Sequence, residues 1–346
     1  MKKTFLFLLL IGLIAFIANI LISTGAFRSV ENEFKGKTLA KIEIPGVEDI
    51  TVDEDDDFAV FISYDRAAER DGKAFKSGIY SMDLKTKEFK PKLISNGFDK
   101  PLLAHGISLI QLDSAHHLLY VINHDGGEFI EVFDLYHRDS LVHRKTLSDP
   151  LIYSPNDIVA ISEHEFYFTN DKYFLNKIGK LAENYLGLQG CETVYFDGEN
   201  YRVVANNSSY ANGINYDKKR GLVYIAGVRD FSIKVYDRKE NGDLNFVEEI
   251  DCGTGVDNIE LDSEGNVWIG CHPNMLAADA YMKGNADKSP SEIIKITYRA
   301  KGDYEVETVY LNDGTEMSVS TVAAIYGDLM LLGNVCDEHF LVLERE

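Results

Sequence analysis

The chain contains 346 residues and carries a formal net charge of −21. This acidity argues against a nucleic-acid-binding protein, because binding to phosphates requires clustered cations. Hydrophobic residues make up 45% of the chain and aromatic residues 11%, which is typical of a folded globular protein and not of a disordered one. Length allows either several ordinary domains or one large all-β unit, so the domain count depends on the pattern of elements.

The first predicted element is an N-terminal hydrophobic segment. Lys2 and Lys3 precede residues 5–22, which are almost wholly apolar. This length favours an uncleaved anchoring helix over a cleaved signal peptide, and the small residues 23–26 leave cleavage open. The leading lysines predict that the rest of the protein is exported and lies outside the cytoplasm, anchored to the membrane or secreted after cleavage. The predicted organisation is a signal anchor or signal peptide over 1–27, a linker over 28–39 and one folded domain over 40–346.

Beyond residue 40 the sequence repeats a short β-rich pattern. Six hydrophobic runs, each opening near a turn, begin about 44 to 62 residues apart, which is the spacing of propeller blades. Several of them are followed by a second run with alternating polar and apolar residues, as expected for antiparallel strands. The six runs lie at 58–63, 117–123, 165–171, 221–227, 265–271 and 327–334. The pattern predicts an all-β fold, a six-bladed β-propeller.

One inserted segment departs from the β pattern. Residues 173–188 carry apolar side chains at a helical spacing, so they predict a helix with one apolar face. In a propeller this helix would lie over one opening of the central channel, as a lid or a membrane-facing element, or would pack on a blade as a surface helix. The sequence leaves both arrangements open.

A polar residue or pair, followed closely by a branched apolar residue, stands shortly before each run. The six stretches are Glu48-Asp49-Ile50, His105-Gly106-Ile107, Asn156-Asp157-Ile158, Asn212-Gly213-Ile214, Asp257-Asn258-Ile259 and Ser320-Thr321-Val322. Because the innermost strand of each blade borders the channel, these positions are expected to converge on one axis. No Lys or Arg among them balances the carboxylates, so a cation is expected between them. Carboxylate and carboxamide oxygens favour a hard ion, and a set of this size suits Ca²⁺.

Motifs in every blade resemble those of the paraoxonase/arylesterase family of calcium-dependent propeller hydrolases. Matching stretches are HGISL at 105, PNDIVAI at 155, YANGIN at 210, VDNIELD at 256 and NVWIGCHPN at 266. The resemblance implies calcium-dependent hydrolysis of carboxylic esters, lactones or aryl esters, with two bound calcium ions. It implies that the catalytic calcium is held by Glu48, Asn156, Asn212, Asp257 and Asn258, and a structural calcium by Asp49, Asp157 and the backbone carbonyl of Ile107.

The same resemblance implies the catalytic groups. The histidine dyad of the family falls on His105, as the general base that activates a water, and on His124, which orients it. The substrate pocket would include Asp171, Lys172, Tyr210, His272 and Thr321. The sequence contains no GxSxG, HExxH or GxxxxGK[ST] motif, so water is the expected attacking group.

Three departures from the family pattern bear on closure and on substrate range. The usual cysteine pair of the family is absent, so the ring must close by strand pairing alone. Lys172 and Tyr210 stand where many members have His and Phe. Residues 64–76 are strongly charged, where members place apolar substrate-contacting residues.

Two other functions remain open at this point. A sugar-lactone hydrolase with the same calcium would suit the charged loop at 64–76. A non-enzymatic, calcium-stabilised binding scaffold is also consistent with the fold, since propellers host many functions. The presence of both His105 and His124 argues against the scaffold.

Overall fold

The computed structural model describes residues 2–346, which begin with a long apolar helix. Helix α1 (Lys2–Ser23) has a mean hydropathy of 3.0 over its apolar window and is not buried against the rest of the chain. Within the described residues it is the one helix whose length and composition suit a membrane span. Two strands follow it, β1 (Glu33–Phe34) and β2 (Gly36–Ile42). The predicted linker over 28–39 therefore contains β1 and the first part of β2.

The other strands form six antiparallel sheets in chain order. Their bounds are β3 (Ile50–Asp53), β4 (Phe58–Tyr64), β5 (Ser77–Asp83) and β6 (Lys92–Leu93); β7 (Ala104–Asp113), β8 (His116–Asn123), β9 (Phe129–Tyr136) and β10 (Ser140–Leu147); β11 (Pro155–Ala160), β12 (Phe166–Asn170), β13 (Cys191–Phe196) and β14 (Tyr201–Ser208); β15 (Ala211–Asp217), β16 (Leu222–Gly227), β17 (Ser232–Arg238) and β18 (Leu244–Asp251); β19 (Gly255–Leu261), β20 (Val267–His272), β21 (Ser291–Ala300) and β22 (Asp303–Asn312); β23 (Ser320–Tyr326), β24 (Leu329–Asn334) and β25 (Phe340–Arg345).

The sheets are the blades of a ring. The first strands of the six sheets, β3, β7, β11, β15, β19 and β23, contact one another in a closed circle. They are the innermost strands and border the channel, while the last strands lie at the rim. The six hydrophobic runs identified in the sequence fall on the second strand of each blade. The prediction of an all-β, six-bladed propeller is confirmed.

The ring closes by pairing the two ends of the domain. Strand β2 forms an antiparallel ladder with β25, from Gly36 opposite Arg345 to Ile42 opposite Phe340, and so completes the sixth blade. Strand β1 adds a fifth strand to the fifth blade by pairing with β22. All four cysteines are free. Backbone hydrogen bonds and the buried side chains on this ladder, and not a disulfide, join the N-terminal and C-terminal parts of the propeller.

The hydrophobic core lies between the blades. Six clusters of buried side chains each join one blade to the next around the ring. In the cluster that joins the sixth blade to the first, the rings of Phe61 and Phe340 lie 4.9 Å apart. Because every blade needs both of its neighbours to cover its apolar faces, the ring behaves as one unit in which the channel geometry is fixed from all sides.

The innermost strands carry irregularities at the places where the polar residues occur. The antiparallel register shifts between Ala104 and Ile107, Pro155 and Ile158, Ala211 and Ile214, Val256 and Ile259, and Ser320 and Val322. Such bulges redirect side chains that would otherwise alternate across the strand. Neighbouring inner strands also approach closely here: a Cβ on Gly213 would lie 2.4 Å from the carbonyl oxygen of Asp257.

Three short helices lie outside the blades. They are α2 (Arg66–Arg70), α3 (Lys177–Leu186) and α4 (Met275–Met282). Helix α3 falls inside the segment predicted to be helical. Its first turn is capped by the Asn176 side chain, which accepts a hydrogen bond from the Gly179 N–H (2.8 Å), and it ends at Gly187 with a φ of +63°. The apolar side chains of this segment, Ile178 and Leu181 among them, are exposed.

Candidate active site

A cavity of about 240 Å³ lies at one end of the channel, and we call it the upper cavity. Its floor is formed by residues at the starts of the innermost strands. These are Glu48, His105, Asn156, Asn212 and Asp257. Its walls come from outside the ring, with Thr24 after α1, Arg66 from α2, Tyr185 from α3 and Met275 from α4. Residues from five blades and from all four helical regions therefore meet in one space.

Side-chain oxygen atoms at the floor of the upper cavity receive no hydrogen bond from the protein. The side-chain Oδ1 atoms of Asn156 and Asn212, which line the cavity, and of Asn258, which follows Asp257 in the chain, are buried and have no hydrogen-bond partner among the described residues. Leaving a buried polar group unpaired costs about 1–3 kcal/mol. Three carboxamide oxygens beside the carboxylates of Glu48 and Asp257 form a donor set that suits a hard cation such as calcium. The residues present therefore fit a calcium ion.

Glu48 is held in place from several directions. Its backbone carbonyl accepts hydrogen bonds from Asn258 Nδ2 (3.0 Å) and from Thr321 Oγ1 (2.6 Å). Its carboxylate pairs with the Arg66 guanidinium and lies 2.8 Å from His105 Nε2. Burial alone would raise the pKa of Glu48, but its electrostatic and hydrogen-bonding interactions with Arg66 and His105 outweigh burial and lower the pKa to about 2.

The Arg66 contact corrects one premise of the sequence analysis. No Lys or Arg side chain was expected to balance the channel carboxylates, because the repeated motifs contain none. Arg66 reaches Glu48 from the loop after β4, outside those motifs. A repeat-based search misses it because the loop does not belong to the blade pattern.

The two predicted catalytic histidines lie side by side. His105 Nδ1 is 2.9 Å from His124 Nε2, and His124 Nδ1 is 2.5 Å from the carboxylate of Glu128. His105 Nε2 faces the upper cavity, where Asn156 Nδ2 lies 3.2 Å from it. His124 does not line the cavity and lies behind His105. Glu128 was not identified from the sequence, although its spacing of four residues from His124 was a signal.

The second predicted calcium set lies further along the same strands. Asp49 Oδ2 accepts a hydrogen bond from the Ile107 N–H (2.8 Å), and Asp157 Oδ2 accepts one from the Ile214 N–H (2.7 Å). Both carboxylates border a separate cavity of about 290 Å³, the lower cavity, which Glu260 also lines. Burial raises the pKa of Asp49 to about 7, and burial together with the nearby charge of Asp49 raises that of Asp157.

The five predicted substrate-pocket residues fall into two groups. Tyr210 and His272 line the upper cavity, and His272 Nε2 lies 2.6 Å from Asp257 Oδ2. Thr321, Asp171 and Lys172 are not part of its lining. Thr321 instead supports the Glu48 carbonyl.

Asp171 and Lys172 form an ion pair behind Tyr210. The Lys172 ammonium lies 3.3 Å from Asp171 Oδ2 and 3.0 Å from the centroid of the Tyr210 ring, which it therefore supports from behind. Tyr210 itself has a φ of +56°, a conformation that is strained for an aromatic residue and directs its ring toward the cavity. Asp171 and Lys172 therefore position Tyr210, which lines the cavity, and do not line the cavity themselves.

Other lining residues carried no sequence signal. They lie in the connections between the second and third strands of the third, fourth and fifth blades, and they are Asn184, Arg229, Met275 and Leu276. They reach the cavity because the ring brings these connections together at one end of the channel.

Comparison with known proteins agrees with this architecture. A family profile described as Arylesterase matches residues 70–341. The chain is 36% identical over 266 residues to serum paraoxonase/arylesterase 2 of Rattus norvegicus, covering 75% of this chain and 74% of that protein. It is 34% identical over 275 residues to serum paraoxonase/lactonase 3 of Oryctolagus cuniculus, covering 78% of this chain and 76% of that one.

Solved structures show the same fold at lower identity. Regucalcin of Agrobacterium tumefaciens, titled a calcium-binding protein, superimposes with a TM-score of 0.53 and 13% identity over 90% of this chain and 93% of that chain. The fold and site define a channel-centred, six-bladed propeller whose upper cavity is suited to a metal ion. The chain belongs to the paraoxonase/arylesterase family.

Proposed function

We propose that this protein hydrolyses carboxylic esters and lactones, including aryl esters, in a calcium-dependent reaction. The observation that carries the proposal is that the unpartnered carboxamide oxygens of Asn156 and Asn212 lie in one cavity with His105. Relatives named arylesterase and lactonase support the same reaction class.

The upper cavity would hold the catalytic calcium and the lower end the structural one. The ligands would be Glu48, Asn156, Asn212, Asp257 and Asn258 for the first ion, and Asp49, Asp157 and the Ile107 carbonyl for the second. When bound, the upper ion would polarise the substrate carbonyl and stabilise the oxyanion that develops on it.

His105 is the proposed general base. The Glu128 carboxylate can only accept, so Nδ1 of His124 carries a proton and its Nε2 accepts one from Nδ1 of His105. When the Glu48 carboxylate is engaged by the ion instead of by His105, this chain of hydrogen bonds would leave the Nε2 lone pair of a neutral His105 on the cavity side, where it can take a proton from water. The Glu48 carboxylate, 2.8 Å away, then stabilises the imidazolium.

The N-terminal helix supports a membrane location. We propose that the protein is exported and held at the membrane by α1, with the propeller outside the cytoplasm. Lys2 and Lys3 precede the helix, and basic residues are retained on the cytoplasmic side. Secretion after cleavage is the alternative.

A polar lactone, such as a sugar lactone, is the second candidate substrate. Arg66 favours it, because this guanidinium lies in the cavity wall and its Nη1 atom is buried without a partner among the described residues. Such a group would gain a hydrogen bond from a hydroxyl-rich substrate.

The test uses the full chain in detergent, with phenyl acetate, aliphatic lactones and sugar lactones as substrates. We expect hydrolysis that a chelator abolishes and added calcium restores. The preferred substrate then separates an arylesterase from a lipophilic or sugar lactonase. Hydrolysis that continues unchanged after exhaustive chelation would contradict the calcium mechanism. A folded protein that binds calcium but turns over none of these substrates would favour a binding scaffold.

A histidine variant isolates the proposed base. His105→Gln should lower kcat by about 10²–10⁴ and leave calcium affinity close to that of the parent protein. His164→Gln is the matched control, because His164 is exposed and lines neither the upper nor the lower cavity. Equal activity in the two variants would remove His105 from the mechanism.

A further inference from the structure

The chain directly after α1 is built into the upper cavity. Thr24 is 1% exposed and lines the cavity, and its backbone carbonyl accepts a hydrogen bond from the Met275 N–H (2.9 Å) at the start of α4. Its side chain is turned back onto α1, donating to the Ile20 carbonyl (2.7 Å). The turn that ends the hydrophobic helix is therefore in direct contact with a propeller helix that also lines the cavity.

Arg229 fixes this turn from the opposite wall. Its guanidinium donates two hydrogen bonds to Ser23, one to the backbone carbonyl (2.5 Å) and one to Oγ (3.2 Å). Arg229 is 8% exposed and lines the upper cavity. A buried cation needs partners of opposite charge, and the carbonyl end of a helix supplies partial negative charge.

The adjacent Asp230 is already engaged elsewhere. Its carboxylate binds the Lys234 ammonium and accepts a hydrogen bond from the Ser209 N–H (2.9 Å). Burial lowers the pKa of Arg229, against the opposing charge of Asp230. The end of α1 is thus a main hydrogen-bonding partner of the Arg229 guanidinium.

Two further contacts hold the residues on either side. Gly25 has a φ of +69°, and a Cβ at this position would lie 2.3 Å from the carbonyl oxygen of Pro273. Arg28 forms a two-pronged ion pair with Glu292, with distances of 2.6 and 2.5 Å, and the Glu292 side chain is 1% exposed. Such paired contacts are stronger and geometrically more specific than single ones.

We propose that residues 23–25, the α1 turn, form a permanent wall of the substrate cavity and limit the size of the substrate that it accepts. The hydrophobic helix is then retained in the mature enzyme, and its carboxyl end is a specificity element as well as part of an anchor. The proposal rests on the proposed function for the identity of the substrate. The rest of this region of the cavity is apolar, with Met275, Leu276 and Met282 on α4 and Val228 beside Arg229, so it suits the acyl chain or the ring of an ester or lactone.

A pair of glycine variants tests the wall directly. Gly25→Ala should displace the α1 turn from Pro273, because the new methyl group would overlap a backbone oxygen. Gly12→Ala is the matched control, since Gly12 lies within α1 and a Cβ there meets nothing within 4 Å. Arg229→Ala removes the two hydrogen bonds that the guanidinium donates to Ser23. Arg229→Lys should restore part of this interaction because it keeps the charge.

The readout is selectivity for acyl length in the full chain in detergent. We expect Gly25→Ala and Arg229→Ala to raise kcat/KM for 4-nitrophenyl octanoate relative to 4-nitrophenyl acetate by about tenfold, a change typical of altered pocket size. Gly12→Ala should leave the ratio unchanged. Calcium affinity and melting temperature are measured alongside to verify that each variant is folded. A ratio in Gly25→Ala equal to that of Gly12→Ala would overturn the proposal.

Two measurements separate this proposal from the proposed function. Hydrogen exchange of the Met275 amide should be slow in the parent protein and faster in Gly25→Ala and Arg229→Ala, whether or not any ester is hydrolysed. If the exchange rate in these variants equals that of the parent protein, the proposal that the α1 turn forms a wall is wrong, even in an active enzyme. Intact mass of the protein isolated from membranes should include α1, and a mature chain that begins after residue 25 would also overturn it. Absence of turnover with faster exchange in the variants would instead contradict the proposed function alone.

Discussion

The two ends of the propeller channel differ in whether their buried side-chain oxygen atoms accept hydrogen bonds from the protein. At the upper cavity, carboxamide oxygens such as Asn156 Oδ1 are buried without a partner among the described residues. At the lower cavity, the Asp49 carboxylate accepts hydrogen bonds from the backbone N–H groups of Ile50 (2.9 Å) and Ile107 (2.8 Å). Asp157 is bound in the same way by Ile158 and Ile214, both at 2.7 Å.

The contrast arises within single pairs of consecutive residues. Asn156 faces the upper cavity, and its neighbour Asp157 faces the lower one. In the third blade, the bulge between Pro155 and Ile158 allows both side chains to point into the channel, one toward each end. The fold thus satisfies the lower carboxylates through its own backbone and leaves the upper oxygens for a ligand. We infer that the lower end serves stability first and the upper end serves chemistry first.

The largest expected effect follows from the removal of an upper carboxylate. Asp257→Ala should reduce kcat/KM by about 10²–10³, because groups that stabilise developing charge contribute on that scale. It should weaken calcium binding and lower the melting temperature together, since calcium bound to the native state stabilises it. The measurement is ester hydrolysis with calcium titration and calorimetry. Asp328→Ala on the exposed surface is the control. Full stability and an unchanged response to chelator in Asp257→Ala would refute the ligand assignment.

A lower carboxylate should give the opposite balance. Asp157→Ala leaves the Ile158 and Ile214 N–H groups without their acceptor, at a cost of about 1–3 kcal/mol each. We expect a clear loss of unfolding free energy in denaturant titration, while the folded fraction in saturating calcium keeps a kcat within about tenfold of the parent value. If Asp157→Ala lowers kcat as much as Asp257→Ala does and leaves the unfolding free energy unchanged, the assignment of stability to the lower end and of chemistry to the upper end is wrong.

A smaller effect is expected behind the proposed base. His124→Gln removes the group that accepts from His105 Nδ1, without touching the cavity. We expect kcat to fall by about tenfold, with a shifted acid limb in the pH–rate profile and with calcium affinity unchanged. If only the melting temperature changes and the pH profile does not, His124 is a structural residue and not a positioning one.

The smallest predicted effect concerns pH and the lower end. The pKa of Asp49 is raised from 3.8 to about 7, mainly by burial. Between these values Asp49 is protonated in the calcium-free folded chain and ionised in the unfolded chain, so the contribution of Asp49 to stability is greatest at low pH and falls as pH rises toward about 7. Calcium binds the ionised carboxylates, so its stabilising effect should grow over the same range. Calorimetry from pH 5 to 8, with chelator and with calcium, measures both trends, and Asp49→Asn should flatten them. A calcium effect that is constant with pH would contradict this assignment.

Much of the ring could be predicted from the sequence, because strand period and blade spacing repeat. The apolar runs predicted the second strand of each blade. The polar residues that precede those runs were predicted to lie at the channel, and they include Glu48, Asn156, Asn212 and Asp257. These predictions succeed because each blade pairs its strands and buries its apolar side chains in the same way, so the same sequence pattern recurs.

The parts that could not be predicted depend on contacts between distant segments. The bulges follow from how neighbouring inner strands meet, which a single blade sequence does not encode. Arg66 and Arg229 lie in loops with no repeat pattern, and their partners, Glu48 and Ser23, are remote in sequence. Helix α4 is too short for its periodicity to stand out, although Asn274 is an N-cap signal whose side chain accepts from the Ala277 N–H.

The central claim is that the unpartnered oxygens of the upper cavity hold the calcium used in hydrolysis. The most direct measurement is a crystal structure of the full chain grown with calcium, with anomalous data that locate the ions. The account predicts a peak in the upper cavity at about 2.3–2.6 Å from the side-chain oxygens of Glu48, Asn156, Asn212, Asp257 and Asn258. Calcium absent from these oxygens in an active crystal, with Arg66 still paired to Glu48, would contradict it.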